Sequence, residues 1–117
     1  MNIDELEPHI AEAARLMEML SQPVRLRILC ALSEKQWSVV KLAEAVNLSQ
    51  PAMSHHLRKL REAGLVKTER DAQTIYYSLN GREVTEVLAV LHDLYCPHGI
   101  EAAADDQAAS TATETAG

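Results

Sequence analysis

The chain has no phenylalanine, one tryptophan and three tyrosines among its 117 residues. With aromatics at 3% and apolar residues at 47%, the core has to be built from Leu, Val, Ile, Ala and Met. That composition suits helix packed on helix. No run of about 18 apolar residues occurs, which argues against a transmembrane helix. The opening MNIDELEPHI is acidic and lacks the basic-then-apolar pattern of a secretory leader, so the expected location is cytoplasmic and no membrane partner is expected. Cysteine is also scarce, at two residues, Cys30 and Cys96. Two thiols in a cytoplasmic chain do not make a disulfide framework. No catalytic triad and no phosphate loop is visible, so neither an enzyme nor a cofactor is implied.

The length allows one domain. The net charge of −6 argues at first against a nucleic-acid partner, but its distribution does not. Between Ser49 and Arg82 there are six basic residues and three acidic ones, so that segment is +3 while the rest is −9. For a polyanion the local surface matters more than the total.

Residues 4–20 read as a helix, with Ile10, Ala13, Met17 and Leu20 at helical spacing. SQP at 21–23 breaks it, and Pro23 fits the first turn of a second helix over about 22–33. Leu26, Leu29, Cys30 and Ser33 share one side of that helix, and Arg25 and Arg27 are expected to be exposed or paired. SEKQW is a connector. Ser38 then reads as the cap of a short helix over 39–46, residues 47–49 as a tight turn, and Ser49 as the cap of a longer helix that stops at Gly64. The period then changes. LVKTE and TIYYSL, separated by RDAQ, read as a two-stranded hairpin with Ile75, Tyr77 and Leu79 on one face. A last helix over about 82–96 carries Val84, Val87, Leu88, Leu91 and Tyr95 as its apolar stripe, and Pro97 helps to end it. Residues 99–117 are small, polar and acidic, with nothing large to bury, and are expected to form a disordered tail. The expected domain is therefore residues 1–98.

A short helix, a three-residue turn, a longer helix and a hairpin together make a winged helix-turn-helix, a mainly α fold with a β-hairpin wing. In the longer helix Met53, Leu57 and Leu60 recur at i, i+4 and i+7 and should face the core. Ser54, His55, Arg58 and Lys59 then lie on the outer face, with Ser49 and Gln50 at the leading end. Gln50 can pair with an adenine edge, and Ser54 or His55 with base or phosphate. Arg58 and Lys59 suit phosphate anchoring. Arg70, Gln73 and Thr74 fall at the hairpin tip, near the backbone or minor groove. His56 lies nearer the core and is expected to be packed and hydrogen-bonded. The plain alternative for the helix taken alone is a solvated charged face. The turn and hairpin in register with it favour double-stranded DNA.

The stretches LSQPVRLRILCAL and LSQPAMSHHLRKLREAGLVKTERDAQTIYYSL resemble the ArsR/SmtB family of bacterial winged-helix repressors, over about residues 10–97. The resemblance implies a homodimer, held largely by the first and last helices, on a palindromic operator that it leaves on sensing a signal. It also offers metal sites to test. One family site has a Cys-x-Cys pair in the helix before the reader, where this chain has SVVKLAEAV. The other needs Asp, His and later His or Glu ligands along the last helix. Here Asn80, Gly81 and Glu83 stand near the first pair, and Leu94 and Pro97 near the later ones. Both sites look absent.

Cys30 in RLRILC and Cys96 in LYC are placed as in the persulfide- and redox-sensing branch of the family. That likeness implies two thiols joined on oxidation, directly or through added sulfur, with release of DNA. Reactive sulfur species or an oxidant would then be the inducer. Two other uses of the pair stay open. Both cysteines can be core residues packing as small hydrophobes, with Cys30 the more buried. Alternatively Cys30, His92, Cys96 and His98 can supply nitrogen and sulfur ligands to a metal.

Overall fold

In the computed structural model the chain is described over residues 1–96. It divides into two compact units, Met1–Thr85 and a second beginning at Glu86.

The N-terminal helix expected over 4–20 is three pieces. The first, α1, spans Ile3–Leu6, and Asn2 caps it by accepting from the Asp4 amide at 2.8 Å. A 3₁₀ turn over Glu7–His9 follows, and then α2, Ile10–Leu20. Pro8 sits in the turn and explains it, because proline has no N–H to give and its ring collides with the carbonyl four residues back. The next helix, α3, spans Pro23–Glu34 with Pro23 in its first turn.

The connector expected at SEKQW holds a short strand, β1, Trp37–Ser38. Ser38 then caps α4, Val39–Val46, by accepting from the Lys41 amide at 3.3 Å. Asn47 takes φ 61° and turns the chain, with the Leu48 amide donating back to Ala43 at 2.9 Å. Ser49 caps α5, Gln50–Glu62, by accepting from the Ala52 amide at 3.2 Å. Gly64 ends α5 at φ 80°, a conformation that costs glycine nothing. The Leu65 amide then reaches Leu60 and the Gly64 amide reaches Arg61, both at 2.9 Å, which closes the helix with a Schellman pair of bonds.

The strands β2, Val66–Asp71, and β3, Thr74–Leu79, form an antiparallel hairpin in which Asp71 pairs with Thr74 across Ala72 and Gln73. The sheet has three strands rather than the expected two, in the order β1-β3-β2. β1 pairs with β3 through Trp37 opposite Tyr77 and Ser38 opposite Tyr76. At the far end of β3, Asn80 ties the hairpin to the exit of α5. Its amide donates to Leu65 at 2.8 Å and its side chain to the Gly64 carbonyl at 3.1 Å.

The core is aliphatic, as the absence of Phe requires. Ile28 and Leu29 of α3, Leu42 of α4, Met53, Leu57 and Leu60 of α5 and Val66 of β2 are fully buried. The buried face of α3 differs from expectation. It is formed by Arg25, Ile28, Leu29 and Leu32, at i, i+3, i+4 and i+7, while Leu26 is half-buried and Cys30 and Ser33 are exposed. Placing the arginine outside turns the stripe to the wrong side. In β3, Tyr77 and Leu79 are half-buried, but Ile75 is exposed because it pairs with Arg70 one step from the turn. The last helix, α6, spans Arg82–Tyr95. Among the described residues no helix is long and apolar enough to cross a membrane.

Candidate nucleic-acid interface and thiol pair

The two serine caps place α4 and α5 in contact across a tight turn. Burial of Met53, Leu57 and Leu60 fixes the rotation of α5 about its axis. Ser54, His55, Arg58 and Lys59 are therefore all exposed, as are Ser49 and Gln50 at the leading end. The residues expected to meet DNA thus share one solvent face. One contact organises part of it, with Arg58 Nη2 lying 3.5 Å from Nδ1 of His55, one helical turn away. At the hairpin tip Arg70 and Gln73 are exposed and Thr74 is half-buried. Ala72 in the turn holds φ 60°, which side chains with a Cβ seldom adopt.

Behind this face lies His56, half-buried, with its ring edge-on to His55 at 5.7 Å between centroids. The sequence predicts a hydrogen-bonded ring, yet its Nδ1 is buried without a partner. Burial, and then the charges of His55, Arg25 and Lys59, hold the imidazole below the usual histidine range, so it is neutral near pH 7. Arg25, predicted to be exposed or paired, is 7% exposed, and its Nε has no hydrogen-bond partner. Two orphaned polar atoms, one on the inner side of the reader helix and one on α3, are not legible from the sequence, where Arg25 reads as one more surface charge. The weak helical pattern of α3 is the available signal, since its apolar stripe is complete only with position 25 included.

Cys30 lies on the outer face of α3 and is exposed rather than buried. Its carbonyl accepts from Ser33 Oγ at 2.6 Å, and the next carbonyl, of Ala31, accepts from Trp37 Nε1 at 3.0 Å. Trp37 has no role in the sequence-based expectations, though a lone tryptophan in a chain so poor in aromatics is a signal. Cys96 is also an exposed thiol. Its amide donates to the His92 carbonyl at 2.8 Å, which places it one turn beyond His92 at the end of α6. Exposure of both thiols removes the expectation that they are core residues. Among the described residues no group of three or more His, Cys, Asp or Glu comes together to hold a metal. His98 and Pro97 lie outside the described residues, as does the tail 99–117.

Residues 22–68, which contain the helix pair with its caps, match the model of the bacterial regulatory protein, arsR family. Over 96 residues the chain is 43% identical to the transcriptional activator HlyU of Vibrio cholerae, covering 82% of this chain and 89% of that one. The chain belongs to the arsR family. Within this arsR relationship it is 34% identical to the biofilm growth-associated repressor of Xylella fastidiosa, covering 82% of this chain and 84% of that one. Among solved structures, reduced HlyU from Vibrio cholerae superposes with a TM-score of 0.73 at 42% identity, over 79% of this chain and 97% of that one. A homodimeric winged helix-turn-helix DNA-binding domain from Mycobacterium bovis superposes at 0.70 with 26% identity, over 78% and 84%. The fold is a winged helix-turn-helix, and its arsR relatives are regulators of transcription rather than enzymes.

Proposed function

We propose that this arsR-family regulator is a cytoplasmic homodimeric repressor that leaves its operator when the Cys30 and Cys96 thiols are oxidised to a disulfide or bridged by persulfide sulfur. The observation that carries this reading is that the chain's two cysteines are both exposed thiols, open to a reagent. The solved structure of reduced HlyU, named for its redox state, agrees with it. A thiolate attacks the sulfane sulfur of a persulfide and displaces the carrier thiol. Attack by the second thiolate on the inner sulfur of that cysteine persulfide gives the disulfide and expels hydrosulfide. If a second persulfide has first modified the other cysteine as well, its outer sulfur makes the same attack and leaves a trisulfide bridge, again with hydrosulfide as leaving group. A direct disulfide needs Cα atoms within about 7 Å, and added sulfur atoms relax that limit.

Operator contact is assigned to Ser49, Gln50, Ser54, His55, Arg58 and Lys59 of the reader, with Arg70, Gln73 and Thr74 of the wing. The exposed face that the six reader residues share supports this, with polar groups suited to base edges leading and cations suited to phosphate following, and Arg70 and Gln73 are exposed at the wing tip beside the half-buried Thr74. Pairing of two chains is supported by apolar residues left exposed on the single chain, Ile10 and Met17 of α2 and Val90, Leu94 and Tyr95 of α6. Relative to reduced protein, a bridge that changes the preferred spacing of the two readers by a coupling of about 1–3 kcal/mol weakens binding roughly 5–150-fold.

The test is mass spectrometry of reduced protein after glutathione persulfide, and separately after peroxide, with DNA binding followed in parallel. Added sulfur mass on a Cys30–Cys96 crosslink together with DNA release is the expected result. Unreacted thiols and retained DNA would sink the proposal.

A further inference from the structure

The sequence assigns DNA recognition to the reader helix and the hairpin tip alone. The structure has a second basic feature beside them. Lys35, Gln36, Trp37, Ser38, Lys41, Thr74 and Tyr76 line an open groove of about 510 Å³. Its lining holds two lysines and no carboxylate, in a chain whose net charge is −6. One wall of the groove is tied down. Trp37 is held by its strand pairing with Tyr77 and by the bond from its Nε1 to the Ala31 carbonyl, 3.0 Å long. The ammonium of Lys35 sits over the Trp37 ring, 4.4 Å from its centroid, so one of the two cations is held in place. Lys41 rises one turn after the Ser38 cap of α4, the first helix of the helix-turn-helix. Thr74 is the first residue of β3, directly across the hairpin turn.

We propose that this groove is a seat for DNA backbone phosphates, with Lys35 and Lys41 as its cations and the hydroxyls of Ser38, Thr74 and Tyr76 as neutral donors. It rests on the DNA-binding part of the function proposed above and extends it to a part of the surface outside the reader. Three features select DNA as the occupant. The groove offers cations and hydroxyl donors, the groups that hold phosphate oxygens. Its lining contains no aliphatic residue, the only rings being those of Trp37 and Tyr76. It is also bounded by α4 on one side and by the wing strand on the other, and it includes Thr74 of the hairpin tip, a residue already assigned to operator contact, so the groove is continuous with that part of the surface. Phosphate contacts carry no sequence information. The groove therefore adds affinity and register but no base preference.

The experiment uses the reduced full-length protein, without any oxidant. The probes are a duplex selected by the wild type from a random pool and a scrambled duplex of equal length. Binding of wild type, of Lys35→Gln/Lys41→Gln and of Arg27→Gln is measured over a range of salt concentrations. Arg27 is an exposed cation of α3 outside the groove lining. The double variant is expected to lower the magnitude of the log–log salt slope by about 0.9 for each phosphate it no longer neutralises. It should weaken binding to both duplexes by the same factor, so the ratio between them holds. Arg27→Gln should leave the slope unchanged. Trp37, the only tryptophan, should change its emission when DNA is bound, and trimming the duplex ends should remove that change before it abolishes binding.

A wild-type slope in the double variant, with melting unchanged, overturns the seat and leaves the proposed function standing. An equal fall in slope for Arg27→Gln also overturns it, since the effect is then general charge and not the groove. If reduced wild type binds neither duplex, the proposed function and the seat fall together.

Discussion

The indole N–H of Trp37 donates to the carbonyl of Ala31 at 3.0 Å, and Ala31 is the residue next to Cys30. One hydrogen bond thus joins the end of α3 that carries the exposed Cys30 to the strand that edges the wing sheet. Trp37→Phe keeps a ring against Lys35 and removes only the donor. The part-buried Ala31 carbonyl then loses its partner. Stability should fall by about 0.5–1.5 kcal/mol, read as a lower urea midpoint with an unchanged m-value.

The two thiols should be separable from DNA binding itself. Neither cysteine is in the core, so Cys30→Ser and Cys96→Ser each change one exposed atom. Both variants should bind the selected duplex as tightly as wild type when reduced. Both should also hold it after persulfide treatment that releases wild type, in a gel shift run with and without reagent. A variant that still releases DNA on treatment would show that its thiol is not part of the switch.

Ala72 sits in the two-residue hairpin turn at φ 60°. A Cβ makes that conformation costly, while glycine adopts it freely. Ala72→Gly should stabilise the protein by about 0.5–1 kcal/mol, after allowing for the larger entropy glycine brings to the unfolded chain. Thermal melting should move up by a few degrees. A lower midpoint would mean that the turn does not hold this geometry in solution.

His56 makes stability depend on pH, and the sign follows from its environment. Burial, then His55, Arg25 and Lys59, hold its folded pKa below the unfolded value of about 6.5. The unfolded chain therefore binds the proton first as pH falls. The stability is fully present above about pH 6.5 and is lost as the pH drops from there through the folded pKa. His56→Gln should flatten that part of the stability curve, measured by urea melts at a series of pH values. Arg25→Met removes one of the depressing charges together with an orphaned buried Nε. It should reduce the same slope at little or no cost in stability near pH 7, since burying a guanidinium nitrogen with no hydrogen-bond partner is itself unfavourable.

Much of the helix-turn-helix was determined by sequence alone, because its signals are local. Ser38 and Ser49 cap helices by bonding to amides three residues on. Gly64 ends α5 through its own backbone conformation, and Met53, Leu57 and Leu60 orient it by their spacing. Each of these depends on residues within two turns of one another, so the exposed face carrying Gln50, Ser54, His55, Arg58 and Lys59 could be read without a fold. Pro8 was equally local, and its break in the first helix was available from the sequence. The third strand, the burial of Arg25, the neutral His56 on the inner side of the reader and the Lys35–Trp37–Lys41 groove were decided only by tertiary structure. Trp37 pairs with Tyr77, and Arg25 of α3 acts on His56 of α5. These partners lie far apart in the chain, and no periodicity or cap records which distant segment will close against a given face. The exposure of Cys30 belongs with them: the sequence supplied the thiol, and the packing of Arg25, Ile28, Leu29 and Leu32 turned it to solvent.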